Sequence, residues 1–225
     1  MKTFLKIIEF YDDLEKLSTP GDISVLDPYT EPEIRNVYKK FYKKYFNDSK
    51  KRILIFGINP GRFGGGITGI PFTDSFSLKN RCKIDSNIPV NKELSSKFVY
   101  EMIEEYGGVR KFYKFFFISS ICPYGFTKDG KNLNYYDDKT LFHNWERQIV
   151  KWIRFQVDYI GNNKCCVIIG KGKNQKIFEL LNKEYKFFDE IIALPHPRWI
   201  LQYKSKQKNF YIKTYINTLN KLNYE

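Results

Sequence analysis

The chain of 225 residues is 42% hydrophobic and carries 38 Lys and Arg against 25 Asp and Glu, a formal net charge of +13. That length and apolar content predict one domain, residues 1–225, with a sizeable core. No run approaches the length of a membrane span, the start Met1-Lys2-Thr3-Phe4 lacks a continuous apolar leader, and Cys82, Cys122, Cys165 and Cys166 form no CxxC, with only His143 and His196 to complete a zinc finger.

A membrane protein and a zinc-finger module are thereby excluded. The expectation is a soluble intracellular protein with reduced thiols, cytoplasmic and nucleoid-associated in a bacterium, acting as a monomer. The basic surplus predicts a polyanionic partner. Its 17 Tyr and 20 Phe, mixed with Lys, suit base stacking beside phosphate contacts. Most of those rings are equally read as core, and the Lys, Asn, Ile and Tyr bias also follows from a genome rich in A and T.

Residues 3–17 place Phe4, Ile7, Ile8, Tyr11, Leu14 and Leu17 on one helical face, and Ser18-Thr19-Pro20-Gly21 stops that helix. Thr30-Glu31-Pro32-Glu33 reads as a capping box that opens a second helix through Val37, Tyr38, Phe41, Tyr42 and Tyr45. Its Lys39-Lys40 and Lys43-Lys44 pairs form a solvated or DNA-facing side. These N-terminal helices, about 3–46, are expected to pack on the rest. Ile53-Leu54-Ile55-Phe56 is a buried strand.

The loop that follows runs to about residue 90 with little periodicity. Asn91 then caps a helix with Leu94, Phe98, Met102 and Ile103 inward and Gly107-Gly108 at its end. Residues 115–121 form a second strand, and residues 126–139 read as a polar surface loop. Residues 141–160 are helical by Trp145, Ile149, Trp152, Ile153 and Val157, with Gly161 as the stop. Residues 165–169 form a third strand, followed by a helix carrying Ile177, Leu180 and Leu181. Residues 191–194 form a fourth. A last amphipathic helix carries Phe210, Ile212, Tyr215, Leu219 and Leu222.

Alternating strands and helices predict an α/β fold of three layers, α/β/α, with a central four-stranded parallel sheet. Right-handed crossovers put the strand ends on one edge, so the loops 57–74, 122–126, 170–174 and 195–203 converge there. Ligands bind beyond such ends. In the first loop Asn59 is a neutral amide able to hold a water or a carbonyl, or a turn residue bonding its own backbone. Asp74 is a base, a metal ligand or a loop cap. His196 lies between two prolines, poised for a ligand or satisfied by backbone carbonyls. Arg198 and Trp199 follow it, a cation and a wedge able to enter a duplex, or a turn packed on the last helix. Gly170-Lys171-Gly172-Lys173 opens a helix and can cradle a phosphate, but neither Gly-rich loop has a P-loop or G-x-G-x-x-G arrangement. Acidic residues show no metal-binding spacing, so neither metal nor cofactor is expected.

Gly57-Ile58-Asn59-Pro60-Gly61 with Phe63-Gly64, then Thr68-Gly69-Ile70-Pro71-Phe72, resembles the first motif of the single-strand-selective monofunctional uracil-DNA glycosylases. Cys122-Pro123 resembles that family's middle loop, and Pro195-His196-Pro197-Arg198 a shortened second motif. The resemblance covers roughly residues 50–205. It implies a uracil-DNA glycosylase fold and hydrolysis of the N-glycosidic bond of uracil in single- or double-stranded DNA. Carried over by motif position, Asn59 orients the water, Phe72 stacks on the flipped base and His196 bonds the departing uracilate. Gly57, Ile58, Pro60, Gly61, Phe63, Ser120 and Cys122 line the base pocket. Lys171, Lys173, Arg198, Trp199 and Gln202 meet DNA, the last three in a wedge.

Two departures stand out. Ser120 occupies the place of the family's base-reading Asn. His-Pro-Arg is contiguous, which leaves Leu194 where the family's His would align, and His196 is the only His near a strand end. A non-catalytic nucleic-acid-binding protein on the same scaffold and a hydrolase of free nucleosides or nucleotides are the alternatives.

Overall fold

The structure, a computed structural model, describes residues 1–223. The amphipathic N-terminal segment forms α1, Thr3–Asp12, and the short strand β1, Ser24–Leu26. Pro at the first turn starts α2, Pro32–Tyr45. The cap there is Glu31, with no side-chain bond, while Thr30 Oγ1 donates instead to Asp27 O, so the expected capping box does not form. Ile7, Phe10 and Tyr11 of α1 meet Val37, Tyr38, Phe41 and Tyr42 of α2 in the core. Hydroxyls buried by this packing find partners: Tyr42 donates to Tyr11, Tyr29 to Pro123 O and Tyr124 to Leu14 O.

The first apolar run is β2, Arg52–Gly57. Arg52 at its entry is fully buried, yet all three of its guanidinium nitrogens are bonded. Nε meets Tyr113 O at 2.9 Å, and the fork meets both Asp48 oxygens and Lys50 O. The loop beyond contains two short helices, α3 (Gly65–Thr68) and α4 (Ser75–Asn80). Next comes α5, Leu94–Tyr106, capped by Glu93 rather than by Asn91, whose backbone carbonyl accepts from Phe76 N–H. Gly107, in a left-handed conformation, ends it. The aromatic run 109–121 divides into a helix, α6 (Val109–Phe115), and β3 (Phe116–Ser120).

Residues 125–133 are not a featureless loop. They form a hairpin, β4 (Gly125–Lys128) and β5 (Lys131–Leu133), turned at Asp129-Gly130 with both φ angles positive. β1 pairs antiparallel with β4 to complete a small sheet in the order β1-β4-β5. α7, Lys139–Phe155, widens into a π-turn at Gln156–Ile160, and β6 begins at Gly161, earlier than the apolar run 165–169. α8 (Lys173–Tyr185), β7 (Glu190–Leu194), α9 (Pro197–Tyr203) and α10 (Lys208–Leu222) follow. Leu180 and Phe210, expected to face inward, are 67% and 65% exposed.

The main sheet is four-stranded and parallel, in the order β3-β2-β6-β7. Ile55 stands opposite Ile118 on one side and Val167 on the other, and Val167 opposite Ile192. Helices cover both faces, which is why the central strands read as continuous apolar runs rather than alternating ones. All four strands end at one edge, with β2 reaching Gly57, β3 Ser120 and β7 Leu194. Among the described residues no helix is long and apolar enough to cross a membrane.

Candidate active site

The edge holds a cavity of about 710 Å³. Its walls include Gly57, Ile58, Asn59, Pro60, Gly61 and Phe63 from the first loop, Phe72 from the same loop, Ser120 from the end of β3, and His196, Arg198, Trp199 and Gln202 from the last strand end. Sequence-predicted residues from three loops therefore meet in one space. Cys122 and the 170–174 loop do not line it. Cys122 lies fully buried behind the cavity, its N–H donating to Ile58 O, and burial pushes its thiol well above the usual range. Lys171 is exposed, and Lys173 is 3.7 Å from Asp137 and over the Tyr136 ring.

Asn59 is clamped. Its Oδ1 accepts from Tyr135 N–H at 3.0 Å and its Nδ2 donates to Leu133 O at 3.2 Å. A backbone N–H can only donate and a carbonyl only accept, so this pair fixes which end of the amide is oxygen. Oδ1 keeps one lone pair. Asn59 thus bonds backbone chiefly across 74 residues, with a longer bond of 3.4 Å from Nδ2 to Pro60 O inside its own turn.

Phe72 has φ 53°, unusual for a bulky residue. That conformation lays its ring against Gly57, where an added Cβ would stand 2.6 Å from the Phe72 ring. Only glycine permits the approach. The Phe72 and His196 rings are 5.8 Å apart. Asp74 is a loop cap. One of its oxygens accepts from Ser77 N–H and the other from Glu93 N–H, each at 2.7 Å, tying the Phe72 loop to the start of α5.

His196 caps α9, its Nδ1 accepting from Arg198 N–H at 3.2 Å. A ring nitrogen that accepts carries no proton, so the neutral ring carries its proton on Nε2. Burial, and then the neighbouring Arg198 charge, push His196 down to about 4. At neutral pH it is an uncharged donor. Arg198, Trp199 and Gln202 lie on the helix α9 rather than on a loop, and Trp199 is 40% exposed with Tyr211 edge-on behind it.

Sequence reasoning missed one wall. Asn132, Leu133 and Asn134 line the cavity, as do Lys92, Glu93, Leu94 and Ser95 at the start of α5, and Tyr203 on α9. Asn132 Oδ1 accepts from Arg62 N–H, and the Arg62 guanidinium reaches Gly130 O. The hairpin is thus laced to the first loop. Its Asp129-Gly130 turn was the available signal.

The sequence model of the uracil DNA glycosylase superfamily matches residues 43–220. A crystal structure of wild-type Pedobacter heparinus SMUG2 superposes with a TM-score of 0.95 at 43% identity, covering 100% of both chains. No curated protein matches.

Proposed function

The chain belongs to the uracil DNA glycosylase superfamily and is a DNA glycosylase; from that premise we propose that it hydrolyses the N-glycosidic bond of uracil in DNA and leaves an abasic site. One observation carries this reading. An Asn59 carbonyl fixed by backbone and a neutral His196 whose remaining nitrogen is a donor line the same cavity.

Uracil turned out of the strand stacks on Phe72, whose ring rests against Gly57. As the bond from C1′ to N1 breaks, positive charge grows on the sugar and negative charge on the base. His196 Nε2–H donates to a base carbonyl oxygen where that charge collects. A donor so placed contributes about 3–4 kcal/mol, as oxyanion donors do elsewhere. The free lone pair of Asn59 Oδ1 accepts from a water and aims its oxygen at C1′. The water oxygen bonds C1′, and its proton passes to the departing base or to solvent. Placement suffices, because a nearly dissociated sugar cation needs no strong nucleophile. The route uses no amine nucleophile and no metal or cofactor, so it stops at the abasic site in a single copy of the chain.

Extruding a base costs a few kcal/mol, least where it is mispaired or unpaired. Trp199 and Gln202 on α9 occupy the gap, while Arg198, Lys171 and Lys173 meet phosphates. The +13 charge makes binding fall with salt.

The test is incubation with a uracil-containing oligonucleotide in chelator, followed by alkali. Strand breaks at the uracil are expected, and Asn59→Ala slows them about 100-fold or more with DNA binding kept. No breaks above background rejects the reading. Salt-dependent binding without turnover selects a non-catalytic DNA-binding protein instead. Ser120 at the cavity wall favours that second reading, because one hydroxyl cannot make the two-point contact of an amide.

A further inference from the structure

Asn59 belongs to the loop after β2, yet neither of its stronger side-chain bonds stays there. Both go to the backbone of residues 133–135. That backbone is anchored by Tyr135, which is fully buried with its ring edge-on to Tyr136. The Tyr135 hydroxyl donates to Asn174 Oδ1 at 3.2 Å, and Asn174 Nδ2 donates to Ile169 O at the end of β6. The next residue, Gly170, donates its N–H to Leu194 O at 2.8 Å, two positions before His196. One line of hydrogen bonds therefore runs from the Asn59 amide across the third strand end to the strand that carries His196.

We propose that Tyr135, held by Asn174, is a positioning residue that sets the orientation of the Asn59 amide. This rests on the uracil glycosylase reading. The amide has one way to be aimed, because Tyr135 N–H and Leu133 O hold its two ends. If the 133–135 backbone slides, the free lone pair of Oδ1 turns with it. Neither Tyr135 nor Asn174 lines the cavity, so neither touches the base.

The test is Tyr135→Phe, which keeps the ring and removes only the hydroxyl bond. With uracil-containing DNA the single-turnover rate falls about tenfold, in the range that small misplacement of a reacting group produces. The dissociation constant for an uncleavable 2′-fluoro-uracil oligonucleotide stays unchanged. In an Asn59→Ala background the same substitution has no further effect, because the group it acts through is gone. An equal loss in both backgrounds overturns the proposal, as does an unchanged rate in Tyr135→Phe. A second readout is independent of turnover. The side-chain amide signals of Asn59, identified by their absence in Asn59→Ala, shift in Tyr135→Phe. If the unaltered chain cleaves no uracil DNA, the glycosylase reading fails, and those amide signals alone decide the tie, unmoved signals overturning it.

Discussion

If His196 donates to the departing base as proposed, it sets the pH behaviour of the site. Its Nδ1 is committed to Arg198 N–H, 3.2 Å away, and burial with the Arg198 charge lowers its pKa from 6.5 to about 4. That difference corresponds to about 3 kcal/mol in favour of the neutral ring. At pH 7 only about one molecule in a thousand carries the imidazolium. The cleavage rate is therefore flat from pH 9 down to about 6 and falls only as pH approaches the folded value, when a proton on Nδ1 breaks the helix cap.

Stability follows the same group. A folded pKa below the unfolded one favours the neutral form, so its contribution is fully present above pH 6.5 and is lost as pH falls through 4. His196→Ala lowers the rate about 100- to 1000-fold, the loss seen when one oxyanion donor is removed. It also erases this component of acid sensitivity. Single-turnover rates at constant ionic strength give the profile. Imidazole NMR gives the titration directly, since the chain has two histidines and the exposed His143 is removable by His143→Gln. An inflection in rate or ring shifts between pH 6 and 7 refutes the assignment of a half-buried, neutral donor.

Two further outcomes are expected. In Gly57→Ala the new Cβ stands 2.6 Å from the Phe72 ring, whose backbone at φ 53° has few alternatives. The ring moves off the cavity floor and the single-turnover rate drops at least about tenfold, measured beside circular dichroism to show that the fold persists. In Arg52→Met the carbonyl of Tyr113 loses the Arg52 donor, Lys50 O keeps only Thr3 Oγ1, and Asp48 loses its ion pair. The loss is about 3 kcal/mol, read as a fall in Tm of roughly 6–12 °C for a chain this size. The cleavage rate below the transition stays unchanged, since Arg52 sits at the far end of β2 from the cavity.

Much of this architecture was readable from residue pattern, and the exceptions have physical causes. The four parallel strands announced themselves because burial on both faces demands unbroken apolar runs, as in Ile53-Leu54-Ile55-Phe56. α6 was hidden because its aromatic residues run straight into β3, so no polar break marks the change of period. The hairpin was hidden for the opposite reason. β4 and β5 are three or four residues long, and Lys128, Lys131 and Asn132 are exposed, so they carry almost no apolar signature. Gly125 reveals the constraint only in three dimensions, where an added Cβ would stand 2.4 Å from Pro60 O. At the site, Asn59 and His196 were legible as polar residues just past strand ends, whereas Phe72 was singled out only by the motif it resembles. Tyr135 was not, because its contribution passes through a backbone N–H that every residue but proline possesses.

The small sheet has a mechanical consequence. Its outer strand β1 belongs to the first thirty residues, ahead of the segment 43–220 that matches the superfamily. Leu26 on that strand packs against Gly125 and Gly66, and β1 braces β4, which braces β5, which leads into the backbone gripping Asn59. Displacement of β1 thus has a short path to the Asn59 amide. A proteolytic nick in β1 is expected to loosen the support behind Asn59 without removing any residue of the cavity wall.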